Sequence, residues 1–224
     1  MRASLSRVVA AVSLALFVAL AIAVETGWVQ ALDVRLMLAI GANRPPWATQ
    51  VLQVVSVIGS GAVEIPLGLF LSFHLARIRR RGESVGYASA VLSGWAVYAL
   101  AKVLFRRARP HVIPRLMRGA GWYSFPSGHA TLAPLVFGLG ALIWASPWSM
   151  RVRGALLGAA AALSIVIAYS RVYLGMHWPS DAAGGLLLGT AWAAMWVWWW
   201  EHSKRMNRRE VAPEPAGADE TAAP

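Results

Sequence analysis

Ser170-Arg171-Val172-Tyr173-Leu174-Gly175-Met176-His177-Trp178-Pro179-Ser180-Asp181 is a short polar interruption between two long apolar runs, Gly154 to Tyr173 and Asp181 to Trp200. Each run has the length of about 20 residues that a helix needs to cross a bilayer core. Two spans joined by a loop carrying Arg, His and Asp set the pattern for the rest of the chain. Further apolar runs lie at Val8–Val24, Val51–Leu75, Val85–Phe105 and Pro126–Ala145. Hydrophobic residues make up 58% of the 224 residues and charged residues 14%, against roughly half and a quarter in soluble domains. The fold class this implies is all-α, a six-transmembrane-helix bundle over residues 1–205, with residues 206–224 as a disordered cytoplasmic tail whose stretch from Val211 to Pro224 is rich in Ala, Pro and Glu. A cleaved signal peptide ending at Ala21-Ile22-Ala23 is the rival reading of the first run, but an uncleaved span orients the others consistently.

The net charge of +11 would suit nucleic acid. Here, however, the basic residues cluster between the apolar runs, as topology signals do. Arg2 and Arg7, the cluster at 77–81, Arg151 with Arg153, and the cluster at 204–209 fall on one side of a six-span chain. The positive-inside rule makes that side the cytoplasm and places both termini there, in what reads as a bacterial plasma membrane. One loop breaks the rule, with Arg106, Arg107, Arg109, Arg115 and Arg118 on the outer side; an anionic ligand is the natural explanation. Residues 25–50, with Asp33 and Pro45-Pro46, read as a short surface helix and turn. The absence of cysteine excludes disulfides and thiolate chemistry.

Three segments bring polar residues to span ends on that outer side: Lys102-x6-Arg109-Pro110, Pro126-Ser127-Gly128-His129, and Ser170-Arg171-x5-His177-x3-Asp181. In residue type, spacing and order they resemble the three-part signature of the type 2 phosphatidic acid phosphatase superfamily, whose core is related to vanadium haloperoxidases. The resemblance covers a motif core from Lys102 to Asp181, with no departure at the motif positions. It implies a membrane lipid phosphatase with that helical core. His177 would be the nucleophile, forming a phosphohistidine, with Asp181 holding it and balancing its charge. His129 would be the general acid for the leaving alcohol. The family's bacterial members act on phosphatidic acid, phosphatidylglycerol phosphate, undecaprenyl pyrophosphate or lipid A, and share these residues.

The residues themselves suit that chemistry. Hydrolysis of a phosphate ester needs cations at the non-bridging oxygens, an in-line nucleophile and a proton donor. Lys102, Arg109 and Arg171 can supply the cations, although a lysine at a span end can also simply snorkel. Pro126 is expected to open the fourth helix, leaving the N–H groups of Ser127, Gly128 and His129 free as an anion site. Gly128 would admit close backbone approach, and the Ser127 hydroxyl would add a donor. His177 and Asp181, four apart, can hydrogen-bond across a helix start, leaving the other ring nitrogen free. Ser170 and Pro110 are read as supporting residues. No cofactor and no metal are expected, because outer-side carboxylates are few. His74 and His202 read as packed or interfacial, His111 as a solvated loop histidine that could also line the site, and Glu64 as a costly intramembrane carboxylate. Trp122, Tyr123, Phe125 and Trp178 read as interfacial aromatics that would keep a lipid phosphate at headgroup level. The bilayer and a lipid phosphate are thus the expected partners, and nucleic acid is not. Substrate identity and oligomeric state stay open. Transfer of the phosphoryl group to an alcohol acceptor, or a lipid or anion transporter whose basic loop only binds phosphate, are the competing readings.

Overall fold

The computed structural model describes residues 3–118, 121 and 123–210, all of them helix or connecting loop. The helices are α1 (Ala3–Glu25), α2 (Gln30–Gly41), α3 (Pro46–Ile58), α4 (Gly61–Arg77), α5 (Arg81–Phe105), α6 (Gly128–Ala133), a π-helical turn (Pro134–Leu139), α7 (Gly140–Trp144), α8 (Met150–Tyr173) and α9 (Pro179–Glu210). α9 continues to Glu210, past the start of the stretch read as a tail; residues 211–224 lie outside the described residues.

Three helices, α1, α5 and α8, are long and apolar enough to cross a membrane, and α3 with α4 makes a fourth candidate bent by 47°. The six apolar runs therefore do not become six uniform spans. The second run breaks at Gly59-Ser60, and Ser60 adopts extended backbone before α4 starts. The fourth is shorter, Gly128–Trp144, and interrupted by the π turn. α9 is long, but Asp181, three glycines and its tryptophans dilute its apolar character. Enclosure explains how it can be less apolar: α9 is packed against α1, α5, α6, α8 and the π turn, so little of it needs to match lipid. By contrast α1, α5 and α8 expose Leu16, Ile22, Leu100, Leu104 and Ile165 on their outer faces, a surface suited to hydrocarbon.

Close approach of α6 to α9 sets the bundle centre. A Cβ built at Gly185 would lie 2.5 Å from the Ser127 carbonyl oxygen and 2.8 Å from the Ala130 Cβ, and one at Gly189 would collide with the Thr131 carbonyl. Glycines one turn apart let the two backbones touch. Phe125 fills the space above them, fully buried. It stacks on Phe17 of α1 at 5.7 Å and meets Phe105 of α5 edge-on at 5.1 Å. It lies flat enough over Gly184 that a Cβ there would reach 2.6 Å from the ring. Glu64, in the first turn of α4, is fully buried, and neither carboxylate oxygen finds a hydrogen-bond partner among the described residues.

Gly185→Ala should destabilise the protein by about 1–3 kcal/mol, because the atoms in its way are backbone. Gly158→Ala, with nothing within 4 Å of its added methyl, should be neutral or stabilising by about 0.5–1 kcal/mol. Thermal unfolding of the purified protein in detergent measures both.

Candidate active site

The helix directions gather the three polar segments at one end of the bundle. α5 and α8 arrive there with Lys102 and Arg171 in their last turns, and α6 and α9 leave from it. The turn after α8 delivers His177. Gly175 takes a left-handed conformation, φ +73°, which closes the helix end. Its N–H bonds the Val172 carbonyl, while the N–H groups of Met176 and His177 both cap the Arg171 carbonyl at 2.9 and 3.2 Å. This is the glycine-terminated helix stop, and it folds His177 back beside Arg171. A side chain at 175 would also strike the Pro114 carbonyl.

His177 is 2% exposed. Its Nδ1 lies 3.3 Å from Asp181 Oδ2, and its Nε2 lies 3.2 Å from Arg109 Nη1. A guanidinium can only donate, so Nε2 carries the lone pair and Nδ1 the proton that points at Asp181. That is the tautomer of a nucleophilic ring. Arg109 also donates to the carbonyls of Met176 and Gly121, both at 2.6 Å. Burial first, then the charges of Lys102, Arg109 and Arg171, push the His177 imidazole well below its ordinary value of 6.5, against a smaller opposing contribution from the Ser124 backbone.

Asp181 is fully buried. Its Oδ2 accepts the Trp178 N–H at 2.8 Å and the Ser124 hydroxyl, besides facing His177. Its Oδ1 accepts Arg107 Nη1 at 2.8 Å. Lys102 Nζ donates to the carbonyls of Tyr123 and Ser124 at 3.0 and 3.1 Å, tying the end of α5 to the loop before α6. Arg171, 5% exposed, donates from Nη1 to Ser56 of α3 and to Met117, and its buried Nε has no acceptor among the described residues. The buried Ser127 hydroxyl likewise has none. His129 sits in the first turn of α6, half-buried, within electrostatic reach of Arg171, His177, Lys102 and Arg109.

Several details depart from the expectations. Pro126 does not open the helix: it follows a cis bond from Phe125, Ser127 is the residue before α6, and the helix starts at Gly128. The Ser127 N–H is not free either, since it bonds the Asp181 carbonyl at 3.0 Å and locks α6 to α9. Gly128 is required by Tyr98, whose ring would lie 2.8 Å from an added Cβ. Ser170 turns its hydroxyl back to the Ile167 carbonyl of its own helix. Pro110 is buried and offers its carbonyl to Arg115. Trp178 and Phe125 are buried within the protein, at 3% and 0% exposure: Trp178 donates to the Ala108 carbonyl of the loop, and Phe125 packs on Phe17 and Phe105. Tyr123 is half-buried, and Trp122 lies outside the described residues. His111 is exposed, edge-on to Trp178, while His74 and His202 stack on Trp144 and Trp198.

Arg107, Asp33, Ser124 and Ser56 were not singled out by motif reading. Arg107 bridges Asp181 to Asp33 of α2, donating to Asp33 Oδ2 at 2.7 Å and to Gln30 Oε1 at 3.0 Å. The signal for Asp33 was its isolation as an acidic residue in the apolar segment 31–41.

What this geometry defines is a histidine–aspartate pair beside several cations at one end of a helical membrane bundle, with the Arg171 Nε and the Ser127 hydroxyl buried and lacking partners among the described residues. Excess donors in such a site call for an anion. The model of the PAP2 superfamily matches residues 83–205; the chain belongs to that superfamily and is an integral membrane protein. It is 28% identical over 175 residues to phosphatidylglycerophosphatase B of Bacillus subtilis, covering 77% of this chain and 85% of that protein. A shorter stretch of 66 residues is 52% identical to a putative undecaprenyl-diphosphatase, YbjG, of Escherichia coli, covering 30% of this chain and 29% of that one. Among solved structures, the transmembrane PAP2-type phosphatidylglycerolphosphate phosphatase of B. subtilis superposes with a TM-score of 0.81 at 25% identity, covering 88% of this chain and 98% of that one. LpxE of Aquifex aeolicus shares the fold, with a TM-score of 0.58 at 24% identity over 74% of this chain and 94% of that one.

Because the folded state holds His177 neutral below 6.5 while an unfolded ring protonates near that value, the unfolded state binds the extra proton. This contribution to stability is therefore present above pH 6.5 and declines as pH falls below it. The melting temperature of wild type minus that of His177→Gln should shrink between pH 7 and pH 5.

Proposed function

We propose that the chain is a lipid phosphatase that hydrolyses a lipid phosphate or pyrophosphate through a phosphohistidine at His177, without a metal. The observation that carries this reading is the placement of His177: its lone-pair nitrogen faces Arg109 and its protonated nitrogen faces Asp181. The substrate phosphate would replace the Arg109–His177 contact, with its oxygens taking donors from Arg109, Lys102, Arg171, Ser127 and the first turn of α6. His177 Nε2 forms a bond to phosphorus as the phosphorus–oxygen bond to the lipid breaks. The departing oxygen takes a proton from His129. The ring, still carrying its Nδ1 proton, becomes cationic beside Asp181. Water then attacks phosphorus, gives its proton to His129, and the N–P bond breaks to release inorganic phosphate.

The similarity across most of the chain favours a glycerolipid monophosphate such as phosphatidylglycerol phosphate or phosphatidic acid. The shorter, more identical stretch favours undecaprenyl pyrophosphate. Six spans with the site on the extracytoplasmic side and both termini in the cytoplasm fit the charge pattern: Arg77 to Arg81, Arg151, Arg153 and Lys204 belong to the helix ends opposite the site. In that arrangement the bent α3–α4 pair, the interrupted helix 128–144 and α9 each count as one crossing.

Phosphate release from phosphatidic acid, phosphatidylglycerol phosphate and undecaprenyl pyrophosphate, in detergent with EDTA, tests the reading. Wild type should turn over at least one of them, and His177→Ala should lose activity about 1,000-fold or more. His129→Ala should accumulate an acid-labile, base-stable phosphoenzyme if its leaving group is good. No turnover on any of the lipids, or strict dependence on a divalent ion, would overturn it.

A further inference from the structure

Asp181 is gripped from two sides, and only one of them is the nucleophile's. Oδ2 serves His177, Ser124 and the Trp178 N–H, whereas Oδ1 serves Arg107. Arg107 approaches the carboxylate from the side away from His177, and its guanidinium lies 5.4 Å over the Trp178 ring. Its other nitrogen goes to Asp33, which is 2% exposed. Asp33 in turn accepts the Ser180 N–H at 2.9 Å and the Ser180 hydroxyl at 2.5 Å. α2, the loop after α5 and the first turn of α9 are thus joined through one partly buried guanidinium.

Charge counting gives this arrangement a purpose. A neutral His177 gains one positive charge when Nε2 is phosphorylated and Nδ1 keeps its proton. Asp181 is the adjacent counter-charge, yet Arg107 faces it and cancels it. On the other side of the ring stand Lys102 from α5, Arg109 from the loop, Arg171 from α8 and His129 from α6, none of which can help. Asp33 supplies the second negative charge, so Asp33, Arg107 and Asp181 together carry −1, equal and opposite to the imidazolium ring, while the negative oxygens of the phosphoryl group face Lys102, Arg109 and Arg171. In a buried site such a balance is felt strongly. We propose that Asp33 and Arg107 are positioning residues of the reaction: Arg107 aims Oδ2 of Asp181 at His177, and Asp33 offsets the Arg107 charge so that Asp181 remains an effective counter-ion for the phosphorylated imidazole. The inference rests on His177 being the nucleophile.

The test measures kcat and KM for phosphate release by the full chain in detergent, on whichever lipid phosphate wild type turns over. Asp33→Asn should lower kcat about tenfold, equivalent to one pKa unit of lost charge balance. KM should stay within about twofold, since Lys102, Arg109 and Arg171 are untouched. Asp33→Glu, which keeps the charge, should recover much of the loss. Adding Arg107→Gln to Asp33→Asn should raise kcat above that of Asp33→Asn alone, because the unbalanced cation is gone while an amide still donates to Oδ1. A residue that only holds α2 in place would show the opposite, a double variant worse than either single one. Wild-type kcat in Asp33→Asn, or a double variant below the single, overturns the inference. Should Asp33→Asn not fold, Arg107→Lys takes its place: it keeps the charge but loses the two-pronged bridge, so kcat should fall with KM kept, and an unchanged kcat overturns the inference. Inactive wild type on every lipid overturns the phosphatase reading itself; active wild type with an indifferent Asp33→Asn overturns this inference alone.

Discussion

A fully buried carboxylate, that of Asp181, is the constraint on which the rest of this structure depends. Removing an ionised carboxylate from water is costly unless its lone pairs are matched. Here Arg107, Ser124, the Trp178 N–H and His177 match them, and each comes from a different part of the chain or of the turn before α9. Satisfying one charge thereby draws the end of α5, the loop before α6 and the start of α9 to a single point. The backbone of the same residue adds a further tie, through its carbonyl to the Ser127 N–H.

Around that point the protein concentrates positive charge and gives some of it no counter-charge. Arg171 is anchored by Ser56 and Lys102 by two carbonyls, so both are oriented by neutral partners and keep their charge for a ligand. Arg107 is the exception, neutralised from both ends by Asp33 and Asp181. The arginines of the loop after α5 therefore do different work despite their proximity in sequence: Arg107 is structural to the pair, Arg109 touches the His177 ring, and Arg115 braces the loop through the Pro110 carbonyl.

The motif side chains were legible because the chemistry demands particular residue types at particular helix ends, and spacing records which ends. His177 stands four residues before Asp181 across the start of α9, and the contact between them follows. The long lipid-facing helices were legible for a similar reason: α1, α5 and α8 must be apolar along the stretch between their charged ends. What faces protein was harder to read. α9 can hold glycines and Asp181 because neighbours cover it, the break at Gly59-Ser60 lies in an otherwise apolar run, and the π turn in 134–139 has an ordinary apolar composition. The Asp33–Arg107 bridge was not legible at all as a pair. Nothing in spacing separates Arg107 from Arg106 beside it, and partners more than seventy residues apart leave no local trace.

The packing of α1 against α9 carries a consequence for how the protein is made. The buried stripe of α1, Phe17, Ala21 and Val24, packs with Phe125 and Leu188, and its main partner helix is α9, far downstream in the chain. During synthesis and insertion this first helix must wait in lipid while the intervening helices emerge. The same late helix begins two residues after the imidazole that faces Arg109. Until α9 has been made, the chain therefore lacks both the packing partner of α1 and Asp181, the carboxylate that faces His177.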